Sequence, residues 1–272
     1  MASVAVLLRN HVCRKRFGSV KCVSLGGTSG LSNHVPQTTP VALNEELMNM
    51  NEATQFGLYD SAFEKSSCGV GFLTRKDGKQ THELLVKGHE ALCAVPHRGG
   101  MSAEGVGDGA GVSVDLSVEF FNKVTNSKLT PGEFGVGNFF LPNDPSQHQS
   151  ARDLVDLALE AQGMKILVTR DVQVDNSVLR PASVKYQLPI AQWVFSAPAG
   201  VRGAQLDKVI HKALLAIESR AYTEVALDGL YPLSMSAQMQ VLKGRLNSNE
   251  IIPYFLDLND SSHSIHTLYF HT

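Results

Sequence analysis

Three glycine-rich runs, Cys68-Gly69-Val70-Gly71-Phe72, His97-Arg98-Gly99-Gly100 and Gly107-Asp108-Gly109-Ala110-Gly111, follow one another between residues 68 and 111. Glycine enters backbone conformations closed to other residues and lets two chain segments approach closely. This stretch is therefore expected to consist of short strands and tight turns rather than one long helix. Cys68 to Thr74 is apolar and strand-like, and Lys76-Asp77-Gly78-Lys79 supplies a hairpin-type turn. Gln80 to Val95 carries Leu84, Leu85, Gly88, Ala91, Leu92 and Val95 on one broad side, which predicts a helix that Pro96 ends.

The alternation continues. Gly111 to Leu116 is a second strand, Glu119 to Val124 a short helix, and Phe134 to Leu141 a third strand. Ser150 and Asp153 read as a capping box opening a helix that runs to about Ala161, stopped by Gly163. Lys165 to Val172 and Pro189 to Ala197 are strands. Leu206 to Tyr222 has the longest helical period, through Leu206, Val209, Ile210, Ala213, Leu214 and Ile217. Leu230 to Ser236 and Met239 to Leu246 read as a hairpin pair, and Glu250 to Leu256 as a short amphipathic segment. The pattern fits an α/β or α+β domain.

With 272 residues at 43% hydrophobic composition, the chain can form one large core or two modest ones. Lys+Arg 24 against Asp+Glu 26 gives no support to a nucleic-acid or anionic-membrane role. No apolar run approaches the ~20 residues that span a bilayer. Charge is unevenly placed, however. Residues 1–44 hold Arg9, Arg14, Lys15, Arg16 and Lys21 and no acidic residue, the bias of an organellar transit segment. Residues 45–67 form a connector ahead of the folded body.

The cysteines are Cys13, Cys22, Cys68 and Cys93, too sparse for a disulfide framework. No thiol or histidine cluster has zinc or iron-sulfur spacing, and His263 and His266 share a face only if helical, so no metal site is expected. Cys93 sits in the apolar pattern of its helix and is expected to be inert packing. Cys68 has two readings. It is a small buried residue at the head of a strand, or it is a nucleophile.

Spacing cannot bring His82, His89 or His97 to Cys68. An N-terminal cysteine needs no histidine, because its own α-amino group, with a reference pKa of ~8, can accept and return the proton. That requires cleavage of the Ser67-Cys68 bond, since an amide nitrogen is not a base. His97 or Arg98 could contact a substrate carboxylate or fix the loop over the nucleophile; a surface cap or a buried hydrogen-bond network is the equal alternative. The Gly107 run lacks the Lys-Ser/Thr of a phosphate loop and precedes a strand rather than a long helix. It reads as a tight turn, with Asp108 bonding to its own backbone.

Taken together, Gly57-Leu58-Tyr59-Asp60-Ser61-Ala62-Phe63-Glu64-Lys65-Ser66-Ser67-Cys68-Gly69-Val70-Gly71-Phe72 resembles the propeptide junction of the glutaminase, or class II glutamine amidotransferase, domain of glutamate synthase large subunits. The pyridine-nucleotide-dependent form looks nearest. The His97 and Gly107 runs resemble its next two signatures. Leu242-Lys243-Gly244 and Pro253-Tyr254-Phe255 through Asp257-Leu258 are similar to later segments.

The resemblance implies an N-terminal nucleophile hydrolase-like αββα sandwich in residues 68–272, incomplete, with Cys68 catalytic after propeptide removal. It implies L-glutamine as substrate, a glutamyl thioester, and ammonia passed to a synthase domain or subunit. It implies no cofactor in this chain, with FMN, an iron-sulfur cluster and NAD(P)H or ferredoxin in a full-length enzyme. It places the protein in a plastid, with mitochondrion or cytoplasm as alternatives.

Two departures stand out. The loop from Gly100 to Gly107 is about one residue short and has Ser102 where glycine is usual. A His-Ser-Arg-Phe-Ser-Thr-Asn segment, bearing the arginine for the substrate carboxylate, and a His-Asn-Gly-Glu oxyanion motif do not occur, and His271-Thr272 looks like the stump of the first. The alternative to catalysis is a non-catalytic binding or regulatory fragment.

Overall fold

The computed structural model describes residues 68–224 and 227–272, together with the backbone of β1 (Val4–Leu8), β2 (His11–Arg16) and β3 (Ser19–Val23). The rest of residues 1–67, including the connector and the junction before Cys68, lies outside the described residues, so the expected transit segment and propeptide are not addressed by it. From Cys68 onward the order is β4 (Val70–Thr74), α1 (Glu83–Cys93), β5 (Ala110–Asp115), α2 (Val118–Thr125), β6 (Phe134–Phe140) and α3 (His148–Ala161). There follow β7 (Lys165–Asp171), α4 (Pro181–Val184), β8 (Ile190–Ser196), α5 (Ala204–Thr223), β9 (Tyr231–Ser236), β10 (Met239–Gly244), α6 (Ile251–Tyr254), α7 (Leu256–Asn259) and β11 (Thr267–His271).

These strands make two antiparallel four-stranded sheets flanked by helices, an α+β arrangement of αββα type. One has the order β10-β5-β11-β4 and continues through β1-β2-β3, and the other has the order β7-β8-β6-β9. Leu73, Val112, Leu242, Leu268 and Phe270 project from one face of the first sheet into a core shared with Leu84, Leu85 and Leu92 of α1. Each of those three leucines is almost wholly buried and contributes roughly 1.5–3 kcal/mol. On the second sheet, Phe139, Trp193 and Phe195 pack against Leu154, Val155 and Leu159 of α3 and against Leu206, Ile210 and Ile217 of α5. The helical periodicity of residues 206–217 thus marks a true buried stripe.

Four local expectations are corrected. First, β9 and β10 do not pair as a hairpin, because β9 joins β6 while β10 joins β5 in the other sheet. Asp207 of α5 holds the corner between them, accepting from Ala237 N at 2.9 Å, Ser236 Oγ at 3.2 Å and Gln238 Nε2 at 2.6 Å. Second, α3 begins at His148, ahead of Ser150, and its N-cap residue Gln147 makes no side-chain cap; Asp144 instead accepts from Ser146 N at 2.9 Å in the preceding 3₁₀ turn. Third, the turn after β4 leads into α1, and β4 pairs with the distant β11 and with β1 rather than with a strand following that turn. Fourth, Cys93 is exposed, with Sγ 3.6 Å from His89 Nε2 one helical turn away.

A buried polar network joins the two sheets. Gln192 Nε2 of β8 donates to Asn138 Oδ1 of β6 at 2.9 Å and to Gln240 Oε1 of β10 at 3.2 Å. Arg170 of β7 donates to Gln192 Oε1 through Nε at 2.9 Å and is paired with Asp257. His263 completes it: Nδ1 donates to the Asp257 carbonyl at 2.8 Å, which leaves the Nε2 lone pair toward Gln240 Nε2 at 3.5 Å. Stacked on Phe120 and fully buried, His263 has its pKa pushed down to about 4, because burial disfavours the charged ring. The network carries β10 at a fixed height against the second sheet.

Candidate active site

Cys68 lies at the head of β4, exposed and with a free thiol. Its neighbour Gly69 is buried and exchanges both backbone hydrogen bonds with Thr272, N to O at 2.8 Å in each direction. No larger residue fits at Gly69. An added Cβ would lie 2.8 Å from Arg98 Cβ and 2.9 Å from Thr272 Cγ2. The close approach that glycine permits here brings the 3₁₀ turn Pro96–Arg98 against the start of β4.

The second and third glycine runs are tied together beside this strand. Asp108 N donates to Gly100 O at 2.9 Å, and Met101 and Gly107 form an antiparallel bridge. Asp108 does not close a turn on its own backbone, contrary to expectation, and its exposed side chain borders a cleft. Ser102 seats the loop: its N donates to Val106 O at 2.9 Å, and its Oγ accepts from Val106 N at 3.2 Å. The loop then rests on Leu246 and Asn247, where a Cβ at Gly107 would come within 2.7 Å of Asn247 N. Asn247 Nδ2 in turn donates to Gly105 O at 3.2 Å.

An open cleft of about 1110 Å³ runs across the first sheet and takes in Cys68. Strand register explains which side chains reach it. Residues paired across neighbouring strands point to the same face. Val70 pairs with His271, His271 with Gly111, and Gly111 with Lys243, and all four line the cleft. Phe72 and Tyr269 stand one step along the same face with ring centroids 5.9 Å apart. The opposite face is the one buried against α1.

The structure separates the histidines considered for Cys68. His82 Nδ1 meets the His263 carbonyl at 3.0 Å, His89 lies beside Cys93, and His97 is exposed outside the cleft lining. His271 is the histidine that lines the cleft with Cys68. Lys243 lay in a recognised segment without a role, while Arg245, Tyr186 and Leu188 carried no signal; the fold brings them in from a loop and a strand end distant in sequence. His266 is engaged with Asp115 at 2.7 Å, and among the described residues no three His, Cys, Asp or Glu side chains are grouped to hold a metal.

Comparison with known proteins gives the family. Residues 68–272 match the family model of class-II glutamine amidotransferases, beginning at Cys68. The chain is 30% identical over 213 residues to the ferredoxin-dependent glutamate synthase 2 of Synechocystis, covering 76% of this chain and 13% of that protein. It is 30% identical over 223 residues to the NADH glutamate synthase of Schizosaccharomyces pombe, covering 79% and 11%. With the ferredoxin-dependent glutamate synthase 1, chloroplastic/mitochondrial, of Arabidopsis thaliana it shares 29% identity over 252 residues, 90% and 15% of the two chains. The chain thus spans well under a fifth of the length of these relatives.

Proposed function

The chain belongs to the class-II glutamine amidotransferases, and on that premise we propose that it hydrolyses the side-chain amide of L-glutamine through Cys68 once residues 1–67 have been removed. The observation that carries the reading is the exposed Cys68 thiol at the mouth of the cleft, held there by the paired backbones of Gly69 and Thr272.

Release of the Cys68 α-amine supplies a base beside the thiol, with a reference pKa of ~8. The amine takes the thiol proton as sulfur attacks the carboxamide carbon. The tetrahedral adduct collapses by breaking its C–N bond, the ammonium returns the proton, and ammonia departs. A glutamyl thioester remains on Cys68. Water, deprotonated by the same amine, adds to the thioester carbon; the C–S bond breaks and glutamate is released.

In a longer enzyme the ammonia would reach a synthase domain working on 2-oxoglutarate with FMN, an iron-sulfur cluster and an electron donor. The Gly57–Phe72 run supports the pyridine-nucleotide-dependent type, although identities of 30% to both a ferredoxin-dependent and an NADH-dependent relative do not favour it. Organellar import through residues 1–44 rests on five basic residues and no acidic one, with the plastid as destination resting on the family resemblance alone, and a fluorescent fusion of that segment that stays outside the organelle would count against it.

The activity test is ammonia and glutamate release from glutamine by a chain folded intact and then cut by a site-specific protease at Ser67–Cys68. Turnover should appear on cleavage and vanish in Cys68→Ala. Absence of turnover in the cut chain would sink the catalytic reading.

A further inference from the structure

We propose that His89 and Cys93 form a second site, a two-ligand chelate on the outer face of α1 that takes a divalent cation of the zinc class. It stands apart from the cleft, whose lining includes neither residue, and it does not depend on the glutaminase reading. Three observations carry it.

The first is spacing. His89 and Cys93 are four residues apart on α1, and residues at that interval are neighbours on one face of a helix. The stripe of Leu84, Leu85, Gly88 and Leu92 is the buried one. The pair therefore emerges on the solvent side, His89 half-buried and Cys93 exposed with a free thiol. An imidazole nitrogen and a thiolate are donors that zinc prefers.

The second is distance. Cys93 Sγ lies 3.6 Å from His89 Nε2 and 3.9 Å from Nδ1, which is long for a hydrogen bond. It is, however, the span of two ligands on one tetrahedral ion. Bonds of ~2.3 Å to sulfur and ~2.0–2.1 Å to nitrogen, opened at the tetrahedral angle, put the two donors about 3.5–3.6 Å apart. A linear pair with the same bonds would need about 4.3–4.4 Å, so the geometry selects a tetrahedral cation over a two-coordinate one. The helix holds both donors at this span, and a small turn of the ring about χ2, a broad torsion, aims the Nε2 lone pair. Among the described residues no third His, Cys, Asp or Glu joins the pair, which leaves the other two positions to water.

The third is charge. The last carbonyls of a helix carry the negative end of its dipole, and a cation there is stabilised. α1 has no basic residue in its last turn. Glu90 lies in that turn, three residues before Cys93, exposed and without an ion-pair partner among the described residues, whereas Glu83 at the other end is paired with Lys87. A metal ion arriving here meets an uncompensated negative field. Binding forms one metal–sulfur and one metal–nitrogen bond, breaks the S–H bond and releases that proton to solvent. No electron is transferred.

The test uses the full uncut chain, kept reduced, with Cys13→Ser, Cys22→Ser and Cys68→Ala so that Cys93 is the remaining thiol. Cadmium, which favours the same donors as zinc and gives an ultraviolet thiolate-to-metal band, is titrated in. The band should saturate at one equivalent, disappear in Cys93→Ser, and be displaced by zinc but not by magnesium. His89→Ala and His89→Gln should each weaken binding about tenfold or more, since outer-shell partners alone are worth that much and here a direct ligand is lost. Zinc should also raise the urea midpoint of this chain and leave that of its His89→Ala variant unchanged. Unchanged affinity in both His89 variants would overturn the chelate, leaving a bare thiol. No saturable band at one equivalent, or a band that zinc does not displace, would overturn the site altogether. Glutamine turnover enters none of these readouts, so failure of this site and failure of the glutaminase reading are distinguishable.

Discussion

Gly69 and Thr272 exchange both of their backbone hydrogen bonds, each 2.8 Å long, and so lock the strand that begins beside the thiol to the central strand β11. The lock leaves no room at Gly69, where Arg98 Cβ and Thr272 Cγ2 both crowd the Cβ position. Gly69→Val is expected to cost about 1–3 kcal/mol. Urea titration should show a lower midpoint with an unchanged slope. A variant as stable as the parent would mean that β4 and β11 can separate at this end freely.

Gly107 and Gly78 make a controlled pair. A side chain at Gly107 meets the backbone of Leu246 and Asn247, which cannot swing aside, whereas Gly78 has nothing within 4 Å of its Cβ position and only its φ of +68° to object. Gly107→Ala should therefore destabilise by several times the ~1 kcal/mol expected of Gly78→Ala. It should also slow glutamine turnover by the cut chain, because Gly100 and Asp108 at the ends of this loop line the cleft. Equal costs at the two positions would contradict the close approach at Gly107.

The inter-sheet network gives an ordered prediction. Gln192→Leu leaves Arg170 with Asp257 alone and strips Asn138 Oδ1 of its donor; Gln240→Leu removes the group facing His263 Nε2. Each should cost about 1–3 kcal/mol, with Gln192→Leu the larger because a charged partner is affected. Thermal or urea denaturation of both variants measures the order, and the reverse order would place the weight of the network elsewhere.

His263 sets a pH window. Its folded pKa is lowered from 6.5 to about 4, so between those values the unfolded chain binds a proton that the folded chain refuses. Stability should fall as the pH drops from about 6.5 to about 4. The lowered carboxylates act below this window: Asp77, held near 2 by Arg75, and Asp260, held down by Lys123, lose their contributions only as pH falls through and below the ordinary value of 3.8. His263→Gln should flatten the slope of unfolding free energy between pH 6.5 and 4. A slope unchanged by the substitution would assign the acid sensitivity to other groups.

The elements were legible in sequence wherever local periodicity and burial agree. Leu206, Ile210, Ala213 and Ile217 form the buried stripe of α5, and the glycine-rich start of β4 is a strand because its small residues let Phe270 and Arg98 pack on it. Pairing was less legible. Two apolar runs separated by Ala237 and Gln238 look like a hairpin, and only Asp207, thirty residues away, turns them into a crossing between sheets. The apolar setting of Cys93 concealed its exposure, because its position on α1 rotates it off the face that Leu84, Leu85 and Leu92 bury.

Of the candidate site, Cys68 and the glycine runs were readable because their chemistry and backbone demands are written locally. The opposing wall was not. Lys243, Arg245 and Tyr186 come to line the same cleft as Cys68 only through the strand order β10-β5-β11-β4 and the loop after α4, which no spacing along the chain encodes.

The most direct test of the account is intact-mass spectrometry of the acid-quenched reaction with glutamine, comparing the chain cut at Ser67–Cys68 with the uncut chain. The expected result is one adduct, of the mass of glutamine less ammonia, located on Cys68 by peptide mapping, present in the cut chain and absent from both the uncut chain and Cys68→Ala. An adduct formed equally without cleavage, or one carried by Cys93 instead, would contradict it.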